Sequence, residues 1–200
     1  MTTTEEVPAG RPALVTGTDG TVRCGWVGGD ADYERYHDDE WGSGMRSDQE
    51  LYEKMCLEAF QAGLSWITIL KRRAALRAAF HGFDPARVAG MGDRDVERLL
   101  QNADIIRNEA KIRAVIGNAR AVLELDVPLT DLMWSFAPDA TGRARPRSFE
   151  DLPAATPEST AMSRELKRRG FRFVGPTTMY ALMQAAGMVD DHIEGCWLAR

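Results

Sequence analysis

The stretch SDQELYEKMCLEAFQAGLSW, residues 47–66, decides the fold class. Ser47 followed three residues later by Glu50 is a capping box, and Gly63 is a natural stop. A helix is therefore predicted over 48–62. The same grammar extends on its C-terminal side. Trp66, Ile69, Leu70, Leu76 and Phe80 recur at helical spacing across 64–80. Asp84-Pro85 opens a short helix to about 89, and Asp93 starts another that ends near 102. Ile112, Val115, Ile116, Ala119 and Leu123 form one apolar stripe, which predicts a helix over 109–124. A short helix is expected over 130–136, a loop over 138–157, and helices from Pro157 to Arg169 and from Pro176 to a stop at Gly187. No run shows sustained period-two alternation, so the fold class is all-α with no sheet of consequence.

On the N-terminal side the grammar fails. Residues 1–22 are rich in Thr, Pro and Gly and read as a disordered extension, which leaves 23–200 as the folded domain. The start lacks the basic-then-apolar pattern of a secretion signal. No apolar run approaches the length of a membrane span. Cys24, Cys56 and Cys196 make an odd count. That argues against a disulfide framework and for a cytoplasmic chain in which Cys and His bind metal.

The formal net charge is −5, so the chain lacks the overall basic balance usual for nucleic-acid binding. Segregated basic clusters remain: Lys71, Arg72, Arg73 and Arg77; Arg107, Lys111, Arg113 and Arg120; Arg164, Lys167, Arg168, Arg169 and Arg172. Each is read either as a solvated helix face or as a contact to phosphate.

His192 and Cys196 are one helical turn apart, and Cys24 precedes His37 with 12 residues between them. Two thiolates and two imidazoles suit a closed tetrahedral zinc site. Spacing alone leaves a second reading, of unrelated core cysteines and hydrogen-bonded histidines. A zinc would join the N-terminal region to the C-terminus and would be structural, because four protein ligands leave no position for water.

In the 48–62 helix Leu51, Met55, Glu58 and Ala62 share one face. Glu58 thus lies on an apolar stripe. A buried carboxylate costs several kcal/mol unless it is protonated or finds donors. Either its head reaches water at the helix edge, or it recognises a ligand. Trp26, Tyr33, Tyr36 and Trp41 crowd around His37, and Trp66 lies eight residues beyond Glu58. Such aromatics suit a core, or stacking on a flat heterocycle of the kind a base-flipping enzyme holds.

Several linked motifs then become specific: RCGWV (23–27), YHDDEWG (36–42), LEAFQAGLSWITILKRR (57–73), NADIIRNEAKIRAVIGNAR (102–120) and LKRRGFRFVGPTTMYALMQAAGMVDDH (166–192). In this order they resemble the DNA-3-methyladenine glycosylase I family of the helix-hairpin-helix DNA glycosylases. The resemblance runs from about Arg23 to Trp197. It implies two helical lobes around a base pocket, and one structural zinc held by Cys24, His37, His192 and Cys196. It further implies Glu58 as the catalytic, base-reading residue, with Tyr36, Trp66, Trp26, Tyr33 and Trp41 around the base. Gln61 lies in the matched run without an assigned role. The helix-hairpin-helix element falls at about 93–124, with its hairpin at 102–108. Arg107, Asn108 and Lys111 are the expected contacts to the DNA backbone. The hairpin reads Ala103-Asp104-Ile105-Ile106 where the family pattern has glycine at the second position. Asp is among the residues that tolerate a left-handed turn, although it adds a negative charge near phosphate.

The implied partner is double-stranded DNA carrying N3-methylated adenine, and the implied product is free 3-methyladenine. A monomer without membrane attachment is expected. Lyase chemistry is not expected, because no lysine stands out in the matched motifs. Rival readings are a DNA-damage binder of the same fold that releases no base, a metallohydrolase with an open zinc position, and a helical purine binder independent of DNA.

Overall fold

The computed structural model describes residues 12–139, 141 and 143–199. It begins with a hairpin, β1 (Leu14–Thr16) and β2 (Val22–Cys24), paired antiparallel with Leu14 opposite Cys24. Nine α-helices follow among the described residues. They are α1 (Ala31–Asp39), α2 (Asp48–Gln61), α3 (Trp66–Ala79), α4 (Pro85–Ala89), α5 (Asp93–Leu100), α6 (Glu109–Leu123), α7 (Leu129–Trp134), α8 (Pro157–Arg168) and α9 (Pro176–Ala185).

Helix α2 forms as its sequence requires. Ser47 accepts from the Glu50 amide, the Glu50 carboxylate accepts from the Ser47 amide, and Gly63 has a φ of +81°. Its middle is buried on almost every side: Leu51, Tyr52, Met55, Cys56, Leu57 and Phe60 belong to the main core. A helix apolar all round must sit inside the molecule. α2 accordingly packs against α3, α6, α7 and α9. The expected inward stripe holds for Leu51, Met55 and Glu58, whereas Ala62 falls past the helix end and is exposed.

Two expectations are corrected. The extension was expected to be disordered to residue 22, yet 12–24 form the hairpin. Its strands are too short for periodicity to register. The tie is local and tertiary: Thr21 N–H donates to Asp19 Oδ1, Gly25 N–H to the Ala13 carbonyl, and Trp197 N–H to the Val22 carbonyl. Residues 1–11 of that extension lie outside the described residues. The second correction is α1, which apolar periodicity missed because its sequence is mostly polar and aromatic. It is started by Asp30, whose carboxylate accepts from the amides of Asp32 and Tyr33.

A small second cluster joins the two ends of the fold. Cys24, Ile193 and Cys196 are buried there, with Trp26 and Trp41 packed against them. The link from α1 to α2 is fixed to the end of α9. Gly42 N–H donates to Ala185 O at 3.0 Å, and Met45 N–H to Ala186 O at 3.1 Å. Gly187 makes this approach possible, with a φ of +73° and no room for a side chain. A Cβ there would lie 2.7 Å from the Gly42 carbonyl oxygen.

Gly187→Ala is expected to lower unfolding free energy by about 2–5 kcal/mol, from left-handed strain together with overpacking. Denaturant titration measures it, and an unchanged midpoint would show that this junction is not tightly packed.

Candidate functional site

Three elements converge on Glu58. On α1, Tyr33, Tyr36 and His37 share a face at helical spacing. On α2, Lys54 and Glu58 are one turn apart and point the same way. Trp66 is the first residue of α3, and Tyr33 holds that end in place: its hydroxyl accepts from the Ile67 amide at 3.0 Å.

The Glu58 carboxylate does not reach water. Its residue is only 5% exposed, and Lys54 is 3% exposed. The Lys54 ammonium lies 3.0 Å from Glu58 Oε1 and donates to the Tyr36 hydroxyl. It also sits 3.7 Å from the Trp66 ring centroid and 4.7 Å from that of Tyr36. The Tyr36 and Trp66 rings are 5.3 Å apart at 46°. The Trp66 indole N–H is buried and finds no acceptor among the described residues. Such an orphaned donor is costly unless a ligand completes it. Burial lowers the Lys54 pKa against the pull of Glu58. Burial, and then the Glu58 charge, raises the Tyr36 phenol well above its usual range. A cleft of about 220 Å³ opens beside Tyr36, lined also by Asp32, Arg35, Glu40 and Arg73.

The remaining aromatics divide between this site and a second one. Trp26 meets Tyr33 edge-on at 5.6 Å and Tyr36 at 6.2 Å, and it also contacts His37 and Trp41. Trp41 turns the other way. Its ring packs on Trp26, His37 and His192, the last at 4.7 Å. It therefore braces the Cys/His cluster while remaining in contact with Trp26.

Cys24, His37, His192 and Cys196 are all buried, and their ligand atoms lie within 4.8 Å of one another. Cys196 Sγ is 3.4 Å from His37 Nε2 and 3.7 Å from His192 Nδ1, and Cys24 Sγ is 3.7 Å from His192 Nδ1. The surroundings orient two of the donors, His37 and Cys24. His37 Nδ1 meets Asp38 Oδ1 at 2.8 Å, and Asp38 is held in turn by Arg23 and by the Trp197 indole. The Ile193 amide points at Cys24 Sγ. Beside His192, buried Asp191 accepts from Tyr180 and Gln184 and pairs with Arg143. The Cys24 thiol donating to Cys196 lowers the pKa of Cys196, and that pairing together with burial raises Cys24. Spacing left these four residues as two separate pairs, the family resemblance grouped them, and the fold brings their ligand atoms together.

The expected DNA contacts separate. Arg107 is exposed and makes no ion pair among the described residues. Asn108 is exposed and caps α6 by accepting from the Lys111 amide at 3.1 Å. Lys111 is a correction. It is buried, and its ammonium donates to the carbonyls of Phe60 at 2.9 Å and Ala62 at 2.6 Å. The last carbonyls of α2 have no partner within the helix, and Lys111 satisfies them. Its charge is not free for phosphate. Asp104 is exposed, and its amide donates to Asn102 Oδ1 at 3.0 Å. It does not adopt positive φ, so the turn between α5 and α6 needs no left-handed residue there. The first basic cluster is also internally engaged: Lys71 with Asp30, Arg72 with the Ala103 carbonyl, Arg73 with Glu40 and Arg77 with Glu53.

Lys54 is the site residue that sequence reading missed. Its signal was a lysine inside an apolar run, four residues before the suspicious glutamate.

Comparison with known proteins agrees with this geometry. The Methyladenine glycosylase family model matches residues 26–199. DNA-3-methyladenine glycosylase 1 of Escherichia coli K12 is 50% identical over 177 residues, covering 87% of this chain and 95% of that protein. A crystal structure of 3-methyladenine DNA glycosylase I superposes with a TM-score of 0.85 at 48% identity, covering 89% of this chain and all of that one. The Staphylococcus aureus enzyme, solved to explain its recognition of 3-methyladenine, gives 0.80 at 31% identity, covering 86% of this chain and 93% of that one. With the family model spanning almost all of the folded part, and with half of its residues shared with the E. coli enzyme, this chain belongs to the methyladenine glycosylase family.

Proposed function

We propose that this chain flips an N3-methylated adenine out of duplex DNA and hydrolyses its N-glycosidic bond, releasing free 3-methyladenine and beginning base excision repair. The observation that carries this reading is Glu58, a buried carboxylate paired with Lys54, whose ammonium packs on the faces of Tyr36 and Trp66, in a chain of this family. A base inside a duplex must be extruded before its glycosidic bond can be reached.

N3 methylation makes adenine cationic, so it departs as a neutral base and needs little acid catalysis. As the bond breaks, positive charge moves to the sugar in an oxocarbenium-like state. Glu58 reads the base edge. Tyr36 and Trp66 offer faces for stacking, worth roughly 1–3 kcal/mol per base. The unpartnered Trp66 N–H offers a donor to a base nitrogen. Trp26 and Tyr33 support Tyr36 and the start of α3.

The α5–turn–α6 segment, 93–124, is read as the helix-hairpin-helix element. A phosphate would lie against the N-terminus of α6, with Arg107 and Asn108 beside it. Lys111 would act indirectly, by fixing this element to the end of α2. The domain is taken to include β1, since β1 pairs with the strand that carries Cys24. The active form is taken to be a cytoplasmic monomer, and no helix among the described residues is long and apolar enough to cross a membrane.

The four-residue cluster suits zinc. Tetrahedral bonds of about 2.3 Å to sulfur and 2.0–2.1 Å to nitrogen imply ligand–ligand separations of roughly 3.3–3.8 Å, and three of the four S···N separations are 3.4, 3.7 and 3.7 Å. Asp38 on His37 is the outer partner such a site uses. When bound, zinc supplies a cross-link between the N-terminal hairpin and the C-terminus. Four protein ligands leave no open position, which disfavours a metallohydrolase.

Hydrolysis without lyase chemistry remains the reading even with Lys54 in the pocket, because its amine is engaged by Glu58 and Tyr36.

Three outcomes test this function. Glu58→Gln and Glu58→Ala should each lower base release from methylated DNA by about 10²-fold, the scale of losing one aligned electrostatic partner. Chromatography of the released base measures this; undiminished release by both variants removes Glu58 from the mechanism. A wild-type protein that binds lesion DNA yet frees no base would point to the damage-binding alternative. Purified protein should hold one zinc per chain, and Cys196→Ala should lose it along with much thermal stability; a metal-free wild type with an intact fold refutes the staple. Borohydride added during turnover should trap no protein–DNA adduct, and an adduct that disappears in Lys54→Met would establish lyase activity.

A further inference from the structure

The buried charge that the proposed reaction leaves unused is Lys54. Its ammonium touches the Glu58 carboxylate, the Tyr36 hydroxyl and the faces of Trp66 and Tyr36. A flat cationic base would meet the same groups: one carboxylate at its edge and aromatic rings on its faces. The spacing of the rings agrees with this. Two faces that sandwich a flat base must have centroids about 7 Å apart, since each stacked contact takes about 3.5 Å. The Tyr36 and Trp66 centroids are 5.3 Å apart. In this structure the notch is closed, and a cation already sits against it.

We propose that Lys54 is an internal stand-in for the cationic base: a specificity-determining residue that holds the base's place against Glu58, Tyr36 and Trp66, and that must vacate it for the base to enter. The inference rests on assigning this pocket to the base. It makes base affinity the outcome of a competition within the chain. Two cations about 4 Å apart repel strongly where water is scarce. One carboxylate carries a single negative charge, so it neutralises only one of them.

The groups that face Lys54 make the competition specific. From its own helix comes Glu58. From α1 comes Tyr36, with Glu40 just beyond its end, and from α3 comes Arg73. Glu40 and Arg73 pair with each other. Glu58 is thus the one carboxylate among the described residues that pairs with Lys54. Burial already lowers the pKa of the ammonium, so either outward movement or loss of its proton can free Glu58. A neutral, unbranched residue of similar length removes the competitor, keeps a side chain between the rings and leaves Glu58 unpaired for the base. Apparent affinity then rises by the reciprocal of the fraction of molecules that had been open.

The test compares wild type with Lys54→Met and Lys54→Gln, titrated with 3,9-dimethyladeninium, a permanent cation that keeps the charge of the intact lesion, by tryptophan fluorescence and calorimetry. Both variants should bind about tenfold more tightly. Their KM for methylated duplex should fall in parallel, without a rise in kcat. Equal or weaker binding in either folded variant overturns the proposal and leaves Lys54 a structural residue. A second measurement needs no variant. In wild-type protein Lys54 should resist acetylation, and saturating 3,9-dimethyladeninium should increase its labelling, with exposed Lys71 as the internal reference in mass spectrometry. Unchanged or reduced labelling of Lys54 overturns the proposal as well. A wild type that neither binds nor releases 3-methyladenine overturns the pocket assignment and this inference together. Normal wild-type turnover with unresponsive Lys54 variants overturns this inference alone.

Discussion

A carboxylate and an ammonium, one helical turn apart on the most buried helix, govern the arrangement around them. Placing two charges in a protein interior costs several kcal/mol per ion unless geometry and hydrogen bonds compensate. Here the compensation comes from Lys54 on Glu58, from the Tyr36 hydroxyl on Lys54, and from two ring faces around the ammonium. Each of these requires another element to be in register: α1 for Tyr36, and the start of α3 for Trp66. Tyr33 secures both, since it lies on α1 and accepts from an amide of α3. The pocket is therefore specified by the needs of a buried ion pair as much as by its proposed ligand.

The second organising device joins the ends of the chain. His37 follows Tyr36 directly on α1 and points into the Cys/His cluster, so one short helix serves both sites. Trp26 and Trp41 fill the space between them. A change at the cluster that shifts α1 would move Tyr36 with it. This is the physical route by which a metal outside the chemistry would still matter to it. Lys111 plays the corresponding part on the other side, where it holds the end of α2 to α6 through two carbonyls.

Local chemistry made most helices legible. The capping box at Ser47, the prolines that open α4, α8 and α9, and the stripe on α6 act within one or two turns, so sequence spacing records them directly. The hairpin at 14–24 and helix α1 escaped because strands of three residues have no measurable period, and because α1 buries aromatics rather than an aliphatic stripe. The charged residues were legible as types but not as partners. Lys71, Arg73 and Lys111 read alike as basic, yet the fold gives each a different acceptor.

By itself, the sequence determined a predominantly helical chain, an inward carboxylate at Glu58, two thiols and two imidazoles of the right chemistry, and the motifs that carry the family resemblance. Tertiary structure decided the geometry in which those four donors meet, that Trp41 braces them, that Lys111 faces inward, and that Lys54 occupies the notch at Glu58. The division has one cause. Propensity, capping and periodicity act between residues a few positions apart, whereas the pairing of Cys24 with Cys196, or of Lys111 with Ala62, depends on which faces meet after packing. No short-range pattern encodes that choice.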